Sequence, residues 1–396
     1  MEIRKFWGHR NSVTGLAASS NGNYFISCGD DRSLRFWDIR ASNAVRCIIA
    51  GNIDEITTLS FGTSDDEIYM ATSSMLFKFD LKSSSDVIMR VPTFSSNLIK
   101  SEGVAINSMK LCRESGEYLA FADDLGDLTV FDCSSKVPKR KWITAHNNIS
   151  SCVEFTSKLP GRIVSGGFDC CVKIWDQNLD NCIAAIDFNT HTLNESETFF
   201  NPPFVHDICV LNDTSADSEY LICALGDGSL ALLELDTFQI LERYSEFHRG
   251  MATNLHSYNF VGTPGFISAG IDGNIHICKL DPNKLLHIEK NWISSPTTRK
   301  TEQRTHNNGK KSKSVKSVTR KKQGSHTNHP AESVMINANA TTINPIQKFK
   351  TIHHNSKVNA IASLGQVEST TTSSALHTGL VVADISKDIT LYDLCG

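Results

Sequence analysis

The sequence predicts an all-β chain folded as a seven-bladed β-propeller, and three observations carry that expectation. First, a Gly-His pair at Gly8-His9 is answered downstream by Trp37-Asp38, and the pattern returns between Ala145-His146 and Trp175-Asp176. Second, the positions where that Trp should fall are Trp37, Phe79, Phe131, Trp175, Leu233, Cys278 and Tyr392, separated by 42, 52, 44, 58, 45 and 114 residues. Most gaps sit near the roughly 40–45-residue period of propeller blades, and the last holds one period plus an insertion. Third, Glu2 to Phe6 precede the first unit with no blade of their own, while the last unit ends after its third strand. Pairing those two segments closes the ring and removes the exposed edges of an open sheet.

Taken in order, unit one places an apolar strand at Tyr24 to Cys28, a polar turn at Asp30 to Ser33 and a return strand at Leu34 to Ile39, the pattern of a strand pair around a tight turn. Unit two has Ile56 to Phe61, Ile68 to Thr72 and Leu76 to Leu81, without a turn Asp. Unit three runs through Val104 to Leu111, Tyr118 to Ala122 and Leu128 to Asp132, with Leu125 at the turn-Asp position. Unit four repeats the full pattern of unit one. Unit five has strands at Val205 to Val210, Tyr220 to Ala224 and Leu230 to Leu235 and keeps Asp227. Unit six has His248, Ser268 and Asp272 with Cys278 for the Trp; unit seven has His354, Val358 to Ala362, Leu380 to Asp384 and Ile389 to Leu394 around an irregular turn.

In units one and four an Asp stands six residues before the Trp and a Ser four residues before that Asp: His9, Ser27, Asp31, Trp37 and His146, Ser165, Asp169, Trp175. This spacing resembles the WD-repeat family. The resemblance implies a buried chain in which the Trp donates to the Ser, the Ser to the His and the His to the Asp. A fully satisfied buried network rigidifies one arrangement of strands. A Ser-His-Asp catalytic triad is the competing reading, but nothing supplies the oxyanion hole that acyl transfer needs, so the residues are read as structural.

The chain has 396 residues and a formal net charge of −4, unevenly spread. Residues 299–322 carry +9, leaving −13 on the remainder. That basic run includes Lys310, Lys311, Lys313, Arg320, Lys321 and Lys322, in a stretch too poor in apolar residues to order itself. The expected organisation is 1–280 as blades one to six plus the closing strand, 281–344 as a disordered Lys/Arg-rich insertion, and 345–396 as the seventh blade. A second long loop is expected from Asp187 to Pro203. No apolar run reaches the length of a transmembrane helix, and the N-terminal residues lack a signal-peptide core. The twelve cysteines fall mainly in strands and never in Cys-x-x-Cys spacing, which suits reduced thiols in the nucleus or cytoplasm.

No phosphate loop, nucleophile elbow or zinc-binding His-Glu-x-x-His is present, so no catalytic residue, metal site or cofactor is expected. Asp227-Gly228 and Asp272-Gly273 read as turns. The expected function is a monomeric protein-interaction scaffold with no membrane contact. The family resemblance sharpens it to a substrate receptor for a cullin-four RING ubiquitin ligase, in which a Trp-Asp-x-Arg box meets the ligase adaptor: here Asp38 and Arg40, with Lys82 at the matching place in unit two. The alternative is a nuclear adaptor that contacts chromatin or nucleic acid through the basic insertion, although that stretch has no aromatic residues for base stacking. On the face of the Gly-His loops, Asp30, Phe168 and Ile271 each precede a turn position by one residue and form the candidate surface for the unknown substrate.

Overall fold

In the computed structural model the described residues are 3–41, 43–49, 54–73, 75–83, 86–90, 95–100, 104–112, 115–158, 161–190, 201–213, 218–245, 247–260, 263–281, 284, 345–354, 356–364, 379–384 and 386–394. The basic insertion from 285 to 344 and residues 191–200 of the second long loop lie outside them. The described strands form seven sheets, each a blade of four antiparallel strands, one of them with an extra strand.

From inner to outer strand, blade one is Val13–Ala18, Tyr24–Gly29, Ser33–Asp38 and Arg46–Ile49. Blade two is Ile56–Phe61, Glu67–Thr72, Met75–Asp80 and Ser95–Lys100. Blades three and four run from Ile106–Leu111 to Val137–Trp142 and from Ser150–Phe155 to Cys182–Asp187. Blade five runs from Val205–Asp213 to Gln239–Tyr244, and blade six begins at Ala252–Phe260.

One expected boundary is corrected. Ile346–His353 does not belong to the seventh blade; it pairs with Asn274–Leu280 as the outer strand of blade six. The insertion therefore interrupts blade six between its third and fourth strands, and blade seven begins at Val358–Leu364. The reason is the register of propeller repeats: a sequence unit that opens on the loop before an inner strand carries the outer strand of the preceding blade. Blade seven is completed by the first strand of the chain, with Ile3 opposite Tyr392 and Phe6 opposite Ile389. A further strand, Ile88–Arg90, adds in parallel to the outer edge of blade one.

The burial pattern follows from sheet stacking. Second strands such as Tyr24–Gly29 and Arg162–Gly167 are buried at all but the first residue, because both faces of a blade pack against neighbours and alternation is lost. Outer strands such as Val137–Trp142 are mostly exposed. The core is consequently a set of clusters at the seams between blades. At the closure, Phe6, Phe25 and Trp37 pack with Leu364, Val381 and Ile389, and the Phe6 ring meets those of Phe25 and Trp37 edge-on at 5.1 and 5.7 Å.

Every inner strand carries a β-bulge after its first residue, at Thr14, Thr57, Asn107, Ser151, His206, Thr253 and Asn359. A bulge re-aims the extra residue away from its own ladder. In five blades it aims that side chain at the next blade. Thr14 Oγ1 donates to the Ile56 carbonyl at 3.1 Å, Asn107 Nδ2 to Ser150 at 3.1 Å and Ser151 Oγ to Val205 at 2.5 Å. Thr253 Oγ1 reaches Val358 at 3.5 Å, and Asn359 Nδ2 returns to Val13 at 3.0 Å.

Closure by the first strand has a direct consequence. Phe6 is fully buried, so Phe6→Ala should cost about 3–5 kcal/mol by leaving a cavity at the seam. Urea denaturation followed by circular dichroism measures it. A loss below about 1 kcal/mol would mean the closing strand contributes little to the folded ring.

Candidate functional site

The polar networks form inside blades one and four. Trp37 Nε1 donates to Ser27 Oγ at 2.7 Å, His9 Nε2 meets the same Oγ at 2.6 Å, and His9 Nδ1 faces Asp31 at 3.0 Å. The blade-four distances are 2.9, 2.8 and 2.8 Å. An ionised Asp can only accept, so the His carries its proton on Nδ1 and accepts from the Ser hydroxyl on Nε2. The histidines and serines are buried, and each Ser hydroxyl is held between its Trp and its His, so the network holds strands together. Burial alone would raise the Asp169 pKa, but the His146 hydrogen bond and charge outweigh it and hold it down to about 2. Asp31 is likewise lowered: burial opposes, and His9, Ser33 and the Arg10 amide prevail.

Two features of these networks were not anticipated from the sequence. Gly167 and Gly270 stand two residues before the turn Asp, and a Cβ there would lie 2.5 and 2.6 Å from Nδ1 of His146 and His248. Their identical spacing from the Asp was the available signal. The residue after the turn Asp is left-handed in blades one, four, five and six, at Arg32 with φ 58°, Cys170 with 64°, Gly228 with 85° and Gly273 with 72°, which explains the Asp-Gly turns of units five and six.

The degenerate units use substitutes. In blade six, His248 meets Ser268 and Asp272 at 3.1 and 3.2 Å. These contacts are longer than in the full tetrads, with Cys278 supplying no indole. In blade seven, His354 bonds the Tyr392 hydroxyl at 2.7 Å and Asp384 at 2.9 Å, so an Asp eight residues before the Trp position replaces the expected turn residue. In blade five, Asp227 is paired with Arg243 from the outer strand, both side chains almost wholly buried. Ser229 bridges the two, donating to Asp227 at 2.6 Å and accepting from Arg243 Nε at 3.1 Å. Sequence pattern missed Arg243 because it comes from a strand that the repeat signature does not cover.

A further cluster faces the central channel. Lys110 Nζ pairs with Glu154 at 2.8 Å across the seam of blades three and four. Nearby, Asp207 Oδ2 accepts the Leu255 amide at 2.7 Å, and burial pushes its pKa up to about 6 against the pull of Lys110. Asp207 thereby joins blade five to blade six, where the bulged His206 leaves Nε2 without a partner.

On the face of the third-strand turns, Asp38 grips Arg40 with both carboxylate oxygens, accepting from Nε at 2.8 Å and Nη2 at 2.6 Å. That grip holds the Asp38 pKa below its ordinary value. The Arg40 side chain is nonetheless 71% exposed. Lys82 is similarly exposed and pairs with Asp66 at 2.9 Å. Arg46 Nη1 donates to Leu81 O at 3.1 Å, tying the outer strand of blade one to the Lys82 turn, so the two cations lie on joined neighbouring blades.

On the opposite face, Asp30, Phe168 and Ile271 occupy one equivalent rim position. Their amides donate to the carbonyls of Ser12, Ile149 and Met251 at 3.0, 2.9 and 3.0 Å. They belong to blades one, four and six, so the structure spaces them around the rim without joining them. Phe168 is half-buried: it stacks on Phe204 at 5.4 Å and meets His206 edge-on at 5.1 Å. Burial raises the Asp30 pKa, with Glu55 and Asp31 adding to it.

The family model for the WD domain, G-beta repeat, matches residues 1–38 and 137–176, the two stretches that carry the complete tetrads. The chain is a seven-bladed propeller whose first and fourth blades are similar to WD repeats. It is 21% identical over 64% of its length to the WD repeat-containing protein 53 homolog of Dictyostelium discoideum, covering 70% of that protein. It is 21% identical over 44% of its length to the U5 small nuclear ribonucleoprotein 40 kDa protein of the same organism, covering 46% of it. Over 16% of its length it is 30% identical to the U3 small nucleolar RNA-associated protein 21 of Saccharomyces cerevisiae, covering 7% of that chain. WD-repeat propellers serve in general as non-enzymatic scaffolds for protein partners. Among the described residues no helix is long and apolar enough to cross a membrane.

Two measurements check the networks. Arg243→Met should cost about 3–5 kcal/mol, because it strands the buried Asp227 carboxylate, and adding Asp227→Leu should restore most of the loss; chemical denaturation of the single and double variants reads this. The Asp169 network carries a pH signature. A carboxyl of ordinary pKa about 3.9 when unfolded, held lower in the fold, stabilises above that value and loses its contribution as pH falls through the folded pKa. The stability gap between wild type and Asp169→Asn should therefore be about 2 kcal/mol at pH 7, shrink as pH falls below about 4 and reach zero only below about pH 2. A gap that ignores pH would show that the charge of Asp169 is not what stabilises the network.

Proposed function

We propose that this propeller is a substrate receptor for a cullin-four RING ubiquitin ligase, engaging the ligase adaptor through Arg40 with Asp38 and Lys82. The observation that carries the reading is the exposed Arg40 guanidinium clamped by Asp38. The clamp removes rotamer freedom before any partner arrives, which lowers the entropic cost of docking. It leaves the Nη1 edge to donate to a carbonyl or carboxylate, and a planar, permanently charged fork suits that task better than an ammonium. Lys82 adds a second exposed cation on the adjoining blade. The opposite rim is left for a substrate, with Phe168 and Phe204 as its aromatic anchor, Asp30 and Ile271 elsewhere on the rim, and Asp30 beside Glu55 offering negative charge.

A nuclear setting fits the basic stretch around Lys310–Lys311 and Arg320–Lys322 as an import element, and two of the relatives above are named for small nuclear or nucleolar RNA particles. Chromatin contact through that stretch is the weaker reading, since the rest of the chain carries −13 and would repel phosphates.

The test is co-purification of the tagged protein with the ligase adaptor from cells, with fractionation of the same cells. Arg40→Ala should lose the adaptor by about tenfold or more while the circular dichroism melt is unchanged, and Asp38→Ala should lose part of it by freeing the guanidinium. Full retention of the adaptor by a folded Arg40→Ala variant overturns the assignment to Arg40. Absence of the adaptor from the wild-type preparation overturns the receptor reading itself, and exclusion from the nuclear fraction overturns the nuclear setting.

A further inference from the structure

At the seam between blades three and four lies a groove of about 610 Å³ lined in part by Arg140, Lys141, Trp142, Ile143, Lys173 and Trp175. Its floor is aromatic: Trp142 and Trp175 pack at 5.2 Å between ring centroids. Trp142 is 5% exposed, yet its Nε1 has no hydrogen-bond partner. A buried indole N–H usually finds an acceptor, and leaving it without one costs about 1–3 kcal/mol. Ile143, at the lip, is 74% exposed.

One wall is Val137–Trp142, the outermost strand of blade three, with no strand beyond it among the described residues. It is the most basic strand edge in the described ring: residues 136–141 hold Lys136, Lys139, Arg140 and Lys141 with no acidic residue. Arg140 and Lys141 are partly balanced by Asp180 and Asp127, and Lys139 lies over the Tyr118 ring. Lys and Pro on an edge strand commonly blunt it against pairing with other chains, and Lys136, Pro138 and Lys139 serve that end. They exclude neutral and cationic strands. They do not exclude an acidic one, and blunting explains neither the exposed Ile143 nor the open groove beside it. Blade one shows that an outer edge in this ring accepts another strand, since Ile88–Arg90 pairs there with Cys47–Ile49.

We propose that the groove between blades three and four binds an acidic peptide in extended conformation, added as a fifth strand to the edge of Val137–Trp142, with one apolar side chain seated against Ile143 and the Trp142–Trp175 floor. Main-chain pairing supplies affinity, and the groove and the basic edge supply selection, as in other strand-addition modes. A nucleic acid would meet the cations but could use neither the strand's amides and carbonyls nor the apolar lip. The site is on different blades from Arg40 and Lys82, so it stands independently of the receptor reading.

The test uses the full chain and fluorescence anisotropy with three labelled probes: an eight-residue peptide alternating Glu and Val around a central Leu, its counterpart with Lys for Glu, and an eight-nucleotide DNA strand. The Glu peptide should bind and weaken with added salt, the other two should not bind, and Ile143→Asp and Lys139→Glu should each reduce affinity about tenfold or more. Both substitutions are at exposed positions, and unchanged melting confirms their folding. Hydrogen exchange of the wild-type chain supplies a readout free of variants: amides of residues 137–142 should slow when the Glu peptide is added. Absence of binding up to about 1 mM, equal affinity in the variants, equal or tighter binding of the Lys peptide or the DNA, or protection elsewhere on the ring each overturns the proposal.

Discussion

The ring depends on one recurrent device, the bulge that follows the first residue of every inner strand. A propeller must join sheets that share no ladder. Van der Waals packing between blade faces is non-directional and leaves their relative rotation weakly specified. The bulge turns one side chain per blade out of its own sheet, and in five of the seven seams that side chain donates to a carbonyl of the next inner strand. The last of these bonds runs from Asn359 back to Val13, so the belt closes where the chain's first strand also closes the sheet. Hydrogen bonds near the axis fix angle; the apolar seam clusters outside them supply the bulk of the burial.

The seam between blades five and six departs from this rule. His206 occupies the bulge without donating from Nε2, and the neighbouring Asp207 accepts the amide of Leu255 instead. A carboxylate is a stronger acceptor than a hydroxyl, and desolvation raises its pKa to about 6. Lys110 and Glu154 stand close enough to influence it. At this seam a carboxylate takes the part that a hydroxyl or amide side chain plays at five others, while Thr57, at the seam of blades two and three, bonds Ala71 O within its own blade.

The blade networks show the same economy of means. The tetrads, the His248 triad, the His354–Asp384–Tyr392 arrangement and the Arg243–Asp227 pair all tie a turn to a second or third element of the same blade. What is preserved is a buried anion with a donor above it. The identity of the donor varies because any cation or N–H that reaches the turn satisfies the same requirement. These groups are consumed in holding strands; the docking positions proposed above lie instead on the rims and outer edges, at the Arg40 turn, the Phe168–Phe204 pair and the basic edge of blade three.

The amino-acid sequence by itself determined the class of fold, the number of blades, the closing strand and the members of the two full tetrads, because each rests on local spacing: a repeat period, a tight turn and strands whose central members are buried on both faces. It also placed Arg40 after Asp38, a contact between near neighbours. Tertiary structure alone decided the rest. The outer strand of blade six lies on the far side of the insertion from its partners, and no local pattern connects Ile346 to Leu280. Arg243 reaches Asp227, Lys110 reaches Glu154 and Trp142 comes to lie on Trp175 only because separate strands are stacked around a common axis. Phe168 could be placed on its face from the turn, but whether it stood free or lay against the next blade depended on where Phe204 and His206 came to rest. Pairings between neighbouring positions are encoded by spacing, whereas pairings across seams depend on the angle between blades, and that angle is set by the closed ring.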